Sequence, residues 1–289
     1  MLIIGCGDVG ERLAHNALAR GTSVTGIVRR PERATELNTR GIQAHALDLD
    51  RPLDAPGIDW TDAEIYYLAP PPASGTTDPR INHLLAALPN SAGRRIVYIS
   101  TTGVYGNCEG AWVDETRPAN PQVDRARRRH DAERALRQWR EESGAEVVIL
   151  RVAGIYGPGK LPIERLRRQV PMISAADAPW TNRIHVDDLV TVCEAAMTRG
   201  QDGEAYNVSD GRPGNMRDYF DRVADLLGLP RAPLISLEEA RRTLSPGMLS
   251  YLGESRRLDN GKMLRELGIT LRHPNLASGL AASRGEGDS

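Results

Sequence analysis

The chain is predicted to be an α/β protein with a doubly wound parallel sheet and a small C-terminal lobe. Apolar, β-branched runs alternate with helical patterns through the first half, a glycine-rich turn joins the first such pair, and the rhythm breaks after Gly154. Alternation of this kind is the signature of βαβ units. Several runs, such as Ile96-Val97-Tyr98-Ile99, are apolar throughout rather than at every second residue. That pattern suits strands covered on both faces.

Taken in order, strands are expected at Leu2–Ile4, Ser23–Val28, Gln43–Leu47, Ile65–Leu68, Arg95–Ser100 and Glu146–Arg151. Helices are expected between them near Val9–Ala19, Arg33–Thr39, Ile81–Leu88 and Arg125–Glu142. Beyond Gly154, Pro158, Pro162, Pro171 and Pro179 punctuate short segments, and helices follow at about Asp187–Met197 and Met216–Leu227. Residues 1–155 therefore read as the sheet domain and 156–289 mainly as the lobe, with a stretch at about 184–210 returning to the sheet. The small, polar residues after Ser278 read as a frayed tail.

Composition narrows the function. The 37 basic and 38 acidic residues give a net charge of −1, which exerts no global pull toward nucleic acid or anionic lipid. Cys6, Cys108 and Cys193 are far apart, so neither a disulfide framework nor a zinc knuckle is suggested, and a reduced, cytoplasmic setting fits. The start lacks the basic and apolar regions of a signal peptide, and nowhere do 18 apolar residues run together. The expected partner is a small-molecule substrate, not nucleic acid or membrane, and the chain is expected to be a monomer or homodimer.

The turn after the first strand, Gly5-Cys6-Gly7-Asp8-Val9-Gly10, is G-x-G-x-x-G opening a helix. In that context it reads as the dinucleotide loop of a Rossmann domain. Gly5 permits the tight turn, Gly7 lets a pyrophosphate approach the backbone, and Gly10 lets helix and strand pack closely. Asp8 and Val9 belong with them to the cofactor-binding loop. An NAD site wants a carboxylate about 20 residues on. Here Val24-Thr25-Gly26-Ile27-Val28 runs into Arg29-Arg30, with no acid before Glu32. Two guanidiniums suit a 2′-phosphate, so NADP(H) is favoured over NAD(H), against the alternative of a solvated basic turn. Such a fold also implies that Asp48 accepts from the adenine amino group and that the Leu68-Ala69-Pro70 backbone passes the adenosine ribose.

Further motifs resemble the extended short-chain dehydrogenase/reductases, which include sugar-nucleotide epimerases and dehydratases. They are Tyr98-Ile-Ser-Thr-Thr-Gly-Val-Tyr-Gly106, Leu150-Arg-Val-Ala-Gly-Ile-Tyr-Gly-Pro-Gly159, Arg183-Ile-His-Val-Asp-Asp-Leu189 and Tyr206-Asn-Val-Ser209. The resemblance implies a catalytic hydroxyl at Thr101, also beside the cofactor, and a Tyr-x-x-x-Lys pair on the next helix. Counted back from Ala132-Glu133, that pair falls on Arg125 and Arg129. An arginine titrates above about 12.5, so using one as an acid near neutral pH costs more than about 7 kcal/mol.

Tyr105 is a substitute phenol, with the alternative that it lines the pocket or packs; Asp124 is another candidate, with the alternative of pairing to a neighbouring arginine. Arg129 is expected to hold a ribose hydroxyl, and Arg125 an anionic group of the substrate. The competing reading of both is a solvated charged face. The resemblance makes Arg183 a candidate for a substrate phosphate. His185 has no second His or Cys near it in sequence, so no metal site is expected. The leading reading is an atypical NADP-dependent oxidoreductase or isomerase of epimerase/dehydratase type. Its rival is a catalytically silent NADP(H)-binding module that senses redox state or scaffolds a partner.

Overall fold

The computed structural model describes residues 1–53, 58–61, 63–88 and 95–283. The N-terminal half runs β1 (Leu2–Ile4), α1 (Asp8–Ala19), β2 (Thr25–Val28), α2 (Pro31–Thr39), β3 (Gln43–Ala46), β4 (Glu64–Tyr67), α3 (Pro79–Ala87) and β5 (Arg95–Thr101). A 3₁₀ turn at Thr102–Tyr105 leads to β6 (Trp112–Val113), α4 (Asp124–Ser143), β7 (Glu146–Val152) and β8 (Gly154–Tyr156). Then come α5 (Ile163–Arg167), β9 (Met172–Ile173), β10 (Trp180–Thr181), β11 (Arg183–His185), α6 (Val186–Arg199) and β12 (Ala205–Val208). The chain finishes with β13 (Gly214–Asn215), α7 (Met216–Leu227), β14 (Leu234–Ile235), α8 (Leu237–Thr243), α9 (Pro246–Leu252), β15 (Arg257–Leu258), α10 (Gly261–Glu266) and α11 (Leu276–Ala282).

Seven strands form one sheet in the order β12-β7-β5-β4-β1-β2-β3, and every pairing in it is parallel. Successive strand residues point to opposite faces, and each face has its own core. Ile3, Tyr66, Val97 and Val148 pack with Leu13 and Ala17 of α1, Leu37 of α2 and Leu189 of α6. Ile4, Ile65, Tyr98 and Ile149 pack with Leu84 of α3 and Leu136 of α4. This double covering is why the strands are apolar throughout. The chain leaves β1 toward β2 and β3, then returns to the other side of β1 at β4. The order therefore reverses between β1 and β4, the point at which open α/β sheets bind ligands, beyond the C-terminal ends of the strands.

The lobe has a separate apolar centre, where Leu166 and Phe220, Val223 and Ala224 of α7 meet Tyr156 and Leu280. The expectation of a frayed tail after Ser278 is corrected for residues 279–283. Leu276–Ala282 are helical, with the Asn275 side chain capping Ser278 N–H and Leu280 buried. Residues 284–289 lie outside the described part. No helix among the described residues is long and apolar enough to cross a membrane.

Candidate functional site

The three loop glycines serve different ends. Gly5 sits at φ +89°, where only glycine is at ease, and a Cβ there would lie 2.5 Å from the Ala69 nitrogen. At Gly10 a Cβ would come within 2.9 Å of the Ile3 side chain, so α1 could not settle on β1. At Gly7, the N-cap of α1, nothing lies within 4 Å of that position. Protein packing does not require this glycine; its space is free for a ligand at the helix N-terminus. Asp8 begins the helix and pairs with Arg12 at 3.3 Å and Lys160 at 3.1 Å, while Val9 packs on the core beneath.

Beside the loop, a cleft of about 260 Å³ is lined by Gly5, Arg29, Arg30, Arg33, Leu47, Leu49, Ala69, Pro70 and Arg80, with Ile27 and Val28. Among the described residues its wall has four guanidiniums and no carboxylate. Arg33 is paired with Glu11 at 2.5 Å and Arg80 with Asp50 at 2.6 Å. Arg29 and Arg30 are exposed, and neither side chain makes a hydrogen bond or ion pair among the described residues. Leu68 donates its N–H to Ile4 O, which brings the following Ala69 and Pro70 to the cleft.

Asp48 is exposed beside the cleft, where its neighbours Leu47 and Leu49 form the wall, and one of its carboxylate oxygens accepts Asp50 N–H at 3.1 Å. Sequence reasoning missed Arg33 and Arg80. One helical turn separates Arg30 from Arg33, a usable signal, whereas Arg80 arrives from α3 and has none.

A second cavity, about 430 Å³, opens beyond β5 and β7 and includes Thr101, Thr102, Arg125, Arg129, Arg183, Tyr251, Glu254 and Arg256 in its lining. Thr101 Oγ1 accepts Gly103 N–H at 3.2 Å, capping the 3₁₀ turn. Arg129 donates to Ala69 O at 3.1 Å and to the Tyr98 hydroxyl at 3.3 Å, so it sits between cavity and cleft. Arg125, one turn earlier, is already engaged. It donates to the Ser250 hydroxyl, pairs with Glu254 at 3.4 Å and stacks 4.0 Å from the Tyr251 ring centroid. The expectation that Arg125 receives a substrate anion is corrected: its charge latches α4 to α9 and the segment after it.

Arg183 has the available charge. Its guanidinium lies 3.8 Å from the Tyr219 ring centroid and makes no ion pair or hydrogen bond among the described residues. Burial pulls it below the usual arginine range. Among the described residues Glu254 is the one carboxylate in the wall, against four arginines, and both Arg125 and Arg256 hold it.

Tyr105 does not reach this cavity, which corrects its assignment as a catalytic phenol. Only 1% of it is exposed. Its hydroxyl donates to Asn207 at 2.8 Å and accepts from Arg151 at 3.0 Å, and burial raises its pKa. The 3₁₀ turn carries it from the sheet edge into the core. Asp124 is on the exposed side of α4 and pairs with Arg127 at 2.8 Å. His185, solitary in sequence, meets His273 with ring centroids 4.0 Å apart. Asp187 lies 3.7 and 3.8 Å from their ring nitrogens, and its charge is balanced by Arg12 at 3.1 Å.

Asp210, buried behind Arg183, has its carboxyl pushed up to about 6 from an ordinary 3.8 by burial, against the pull of Arg183 and Arg212. A carboxyl raised on folding takes its proton first in the folded state. Its penalty is absent below about pH 4, grows as pH rises to 6 and is complete above. Asp210→Asn should therefore gain in Tm relative to wild type more at pH 8 than at pH 5, measured by thermal melts. Equal differences at the two pH values would refute this placement of the titration.

A parallel sheet with a glycine loop at its reversal point and a basic cleft beside it defines a Rossmann-type α/β protein. The chain matches the model of the NAD dependent epimerase/dehydratase family over residues 81–209, and that of the NADP oxidoreductase coenzyme F420-dependent family over residues 1–51. It is 27% identical over 282 residues to Protein YeeZ of Escherichia coli (strain K12), covering 94% of this chain and 96% of that one. A solved structure of a functionally unknown conserved protein from Silicibacter pomeroyi DSS has a TM-score of 0.85 at 30% identity, covering 100% and 99% of the two chains. MoeE5, solved in complex with UDP-glucose and NAD, shares the fold at a TM-score of 0.75 and 22% identity over 98% and 96%. The chain belongs to the NAD-dependent epimerase/dehydratase family of extended short-chain dehydrogenase/reductases.

Proposed function

We propose that the protein is an NADP(H)-dependent oxidoreductase or isomerase acting on a small anionic substrate. The observation that carries the cofactor choice is the cleft of four arginines, two of them without an ion-pair partner among the described residues, where an NAD site would carry a carboxylate. Arg29 and Arg30 would hold the 2′-phosphate, with Arg33 and Arg80 supplying positive potential. Gly7 makes room for the pyrophosphate, the Ala69–Pro70 backbone borders the adenosine ribose, and Arg129 would hold the second ribose. A bound nicotinamide supplies hydride chemistry. Toward the substrate, Arg183 offers a cation without an ion-pair partner among the described residues, which favours a phosphate or carboxylate, and Thr101 offers a hydroxyl.

NADPH should bind at least about tenfold more tightly than NADH, since a charge-assisted hydrogen bond contributes about 1.5–3 kcal/mol. The double variant Arg29→Ala/Arg30→Ala should lose that preference while keeping NADH affinity. Calorimetry with both nucleotides decides it; equal affinities in the wild type would overturn the NADP(H) reading.

A second reading, a dinucleotide-binding module without turnover, is favoured by two observations: Tyr105 is buried and Arg125 is committed to α9. Oxidation of NADPH with any member of a panel of anionic carbonyl compounds would exclude it.

A further inference from the structure

We propose that Lys160 is a cationic arm of the dinucleotide site, compensating Asp8 so that a pyrophosphate can approach the loop. The proposal rests on the dinucleotide reading above and adds a residue from outside the glycine loop to it. Asp8 is the unusual element. A carboxylate in the first turn suits the helix dipole, but a pyrophosphate entering the space above Gly7 would meet it as a like charge. Two cations hold Asp8, one on each carboxylate oxygen: Lys160 Nζ on Oδ2 at 3.1 Å and Arg12 Nε on Oδ1 at 3.3 Å. Arg12 is shared with Asp187 at 3.1 Å; Lys160 has no other acidic partner among the described residues. The four side chains together are neutral, and without Lys160 the mouth of the loop would be net negative.

The position of Lys160 is built rather than incidental. Lys160 N–H closes a turn onto Gly157 O at 3.0 Å, and Gly157 and Gly159 have φ of +131° and +71°. A Cβ on Gly157 would lie 2.9 Å from both His185 Nε2 and the Val186 side chain, so this glycine lets the turn rest directly on the start of α6. The turn follows β8, whose parallel pairing with β11 fixes where it emerges. A side chain only 24% exposed is thereby delivered across the fold to the first residue of α1.

The test is nucleotide binding by Lys160→Met, an uncharged chain of similar length. NADPH and NADH should both weaken by about tenfold, so that their ratio is kept, unlike the effect of changing Arg29 and Arg30. Binding of 2′-AMP, which has no pyrophosphate, should not change. Lys160→Arg should restore both dinucleotides, and Asp8→Asn should tighten them. Unchanged NADPH affinity in a folded Lys160→Met variant would overturn the proposal, as would equal weakening of 2′-AMP. If the wild type bound neither dinucleotide, the underlying cofactor reading would fall instead, a result separable from these.

Discussion

Gly7→Val is expected to fold like the wild type and to bind NADPH at least about 100-fold more weakly, a loss of about 2.7 kcal/mol or more. The same substitution three residues later, Gly10→Val, is expected to damage the fold instead. The contrast follows from what each missing side chain would meet. A branched side chain at Gly7 enters open space at the N-terminus of α1. Its Cβ would meet nothing within 4 Å, and the side chain would occupy the place that the loop keeps for a pyrophosphate. At Gly10 even the first carbon would lie 2.9 Å from Ile3 and 3.2 Å from Gly5 O. Overpacking a close helix–strand contact costs about 1–3 kcal/mol or more. Circular dichroism melts and calorimetry on both variants separate the effects. A folded Gly7→Val protein that binds NADPH undiminished would show that the loop is only a turn.

The second large effect concerns a buried ion pair behind the cavity. Glu133→Ala should cost about 3–5 kcal/mol of stability, because it strands a buried arginine, and should lower Tm by about 10 °C. Arg151 on β7 donates to both Glu133 oxygens, at 3.2 and 2.8 Å, and to the Tyr105 hydroxyl. Ser100 on β5 donates to Glu133 at 2.5 Å. Both partners of the ion pair are buried, at 6% and 1% exposure. Burial alone would pull the Arg151 pKa down, but hydrogen bonding and charge from Glu133 more than offset this and raise it.

The pair ties α4 to the sheet, and α4 carries Arg125 and Arg129, so its loss should also disturb the cavity. Replacing both members, Glu133→Leu with Arg151→Met, should recover much of the stability. Arg151→Lys should not, since it forfeits the two-pronged contact. A double-mutant cycle by thermal melts measures the coupling, and an unchanged Tm in Glu133→Ala would remove the network's structural role.

Local sequence by itself determined six of the seven sheet strands, the helices between them, the glycine loop and the arginines that end β2; β12 was legible only as part of a stretch returning to the sheet. Each is encoded within a turn or two of chain: alternating faces need only neighbouring residues, and G-x-G-x-x-G describes a single bend. Tertiary structure alone decided which charges remain available. Arg125 has the same local pattern whether it meets an anion or α9, and its partners Ser250 and Glu254 lie more than a hundred residues away. Arg80 joins the cofactor cleft from another helix, His273 reaches His185 from the chain's end, and Lys160 reaches Asp8 across the sheet's edge. Tyr105, four residues past the end of its strand, turns inward because Arg151 and Asn207 stand ready to satisfy its hydroxyl. Periodicity states which residues a helix or strand buries. The pairing of polar groups depends on distances between elements, and those exist only once the elements have packed.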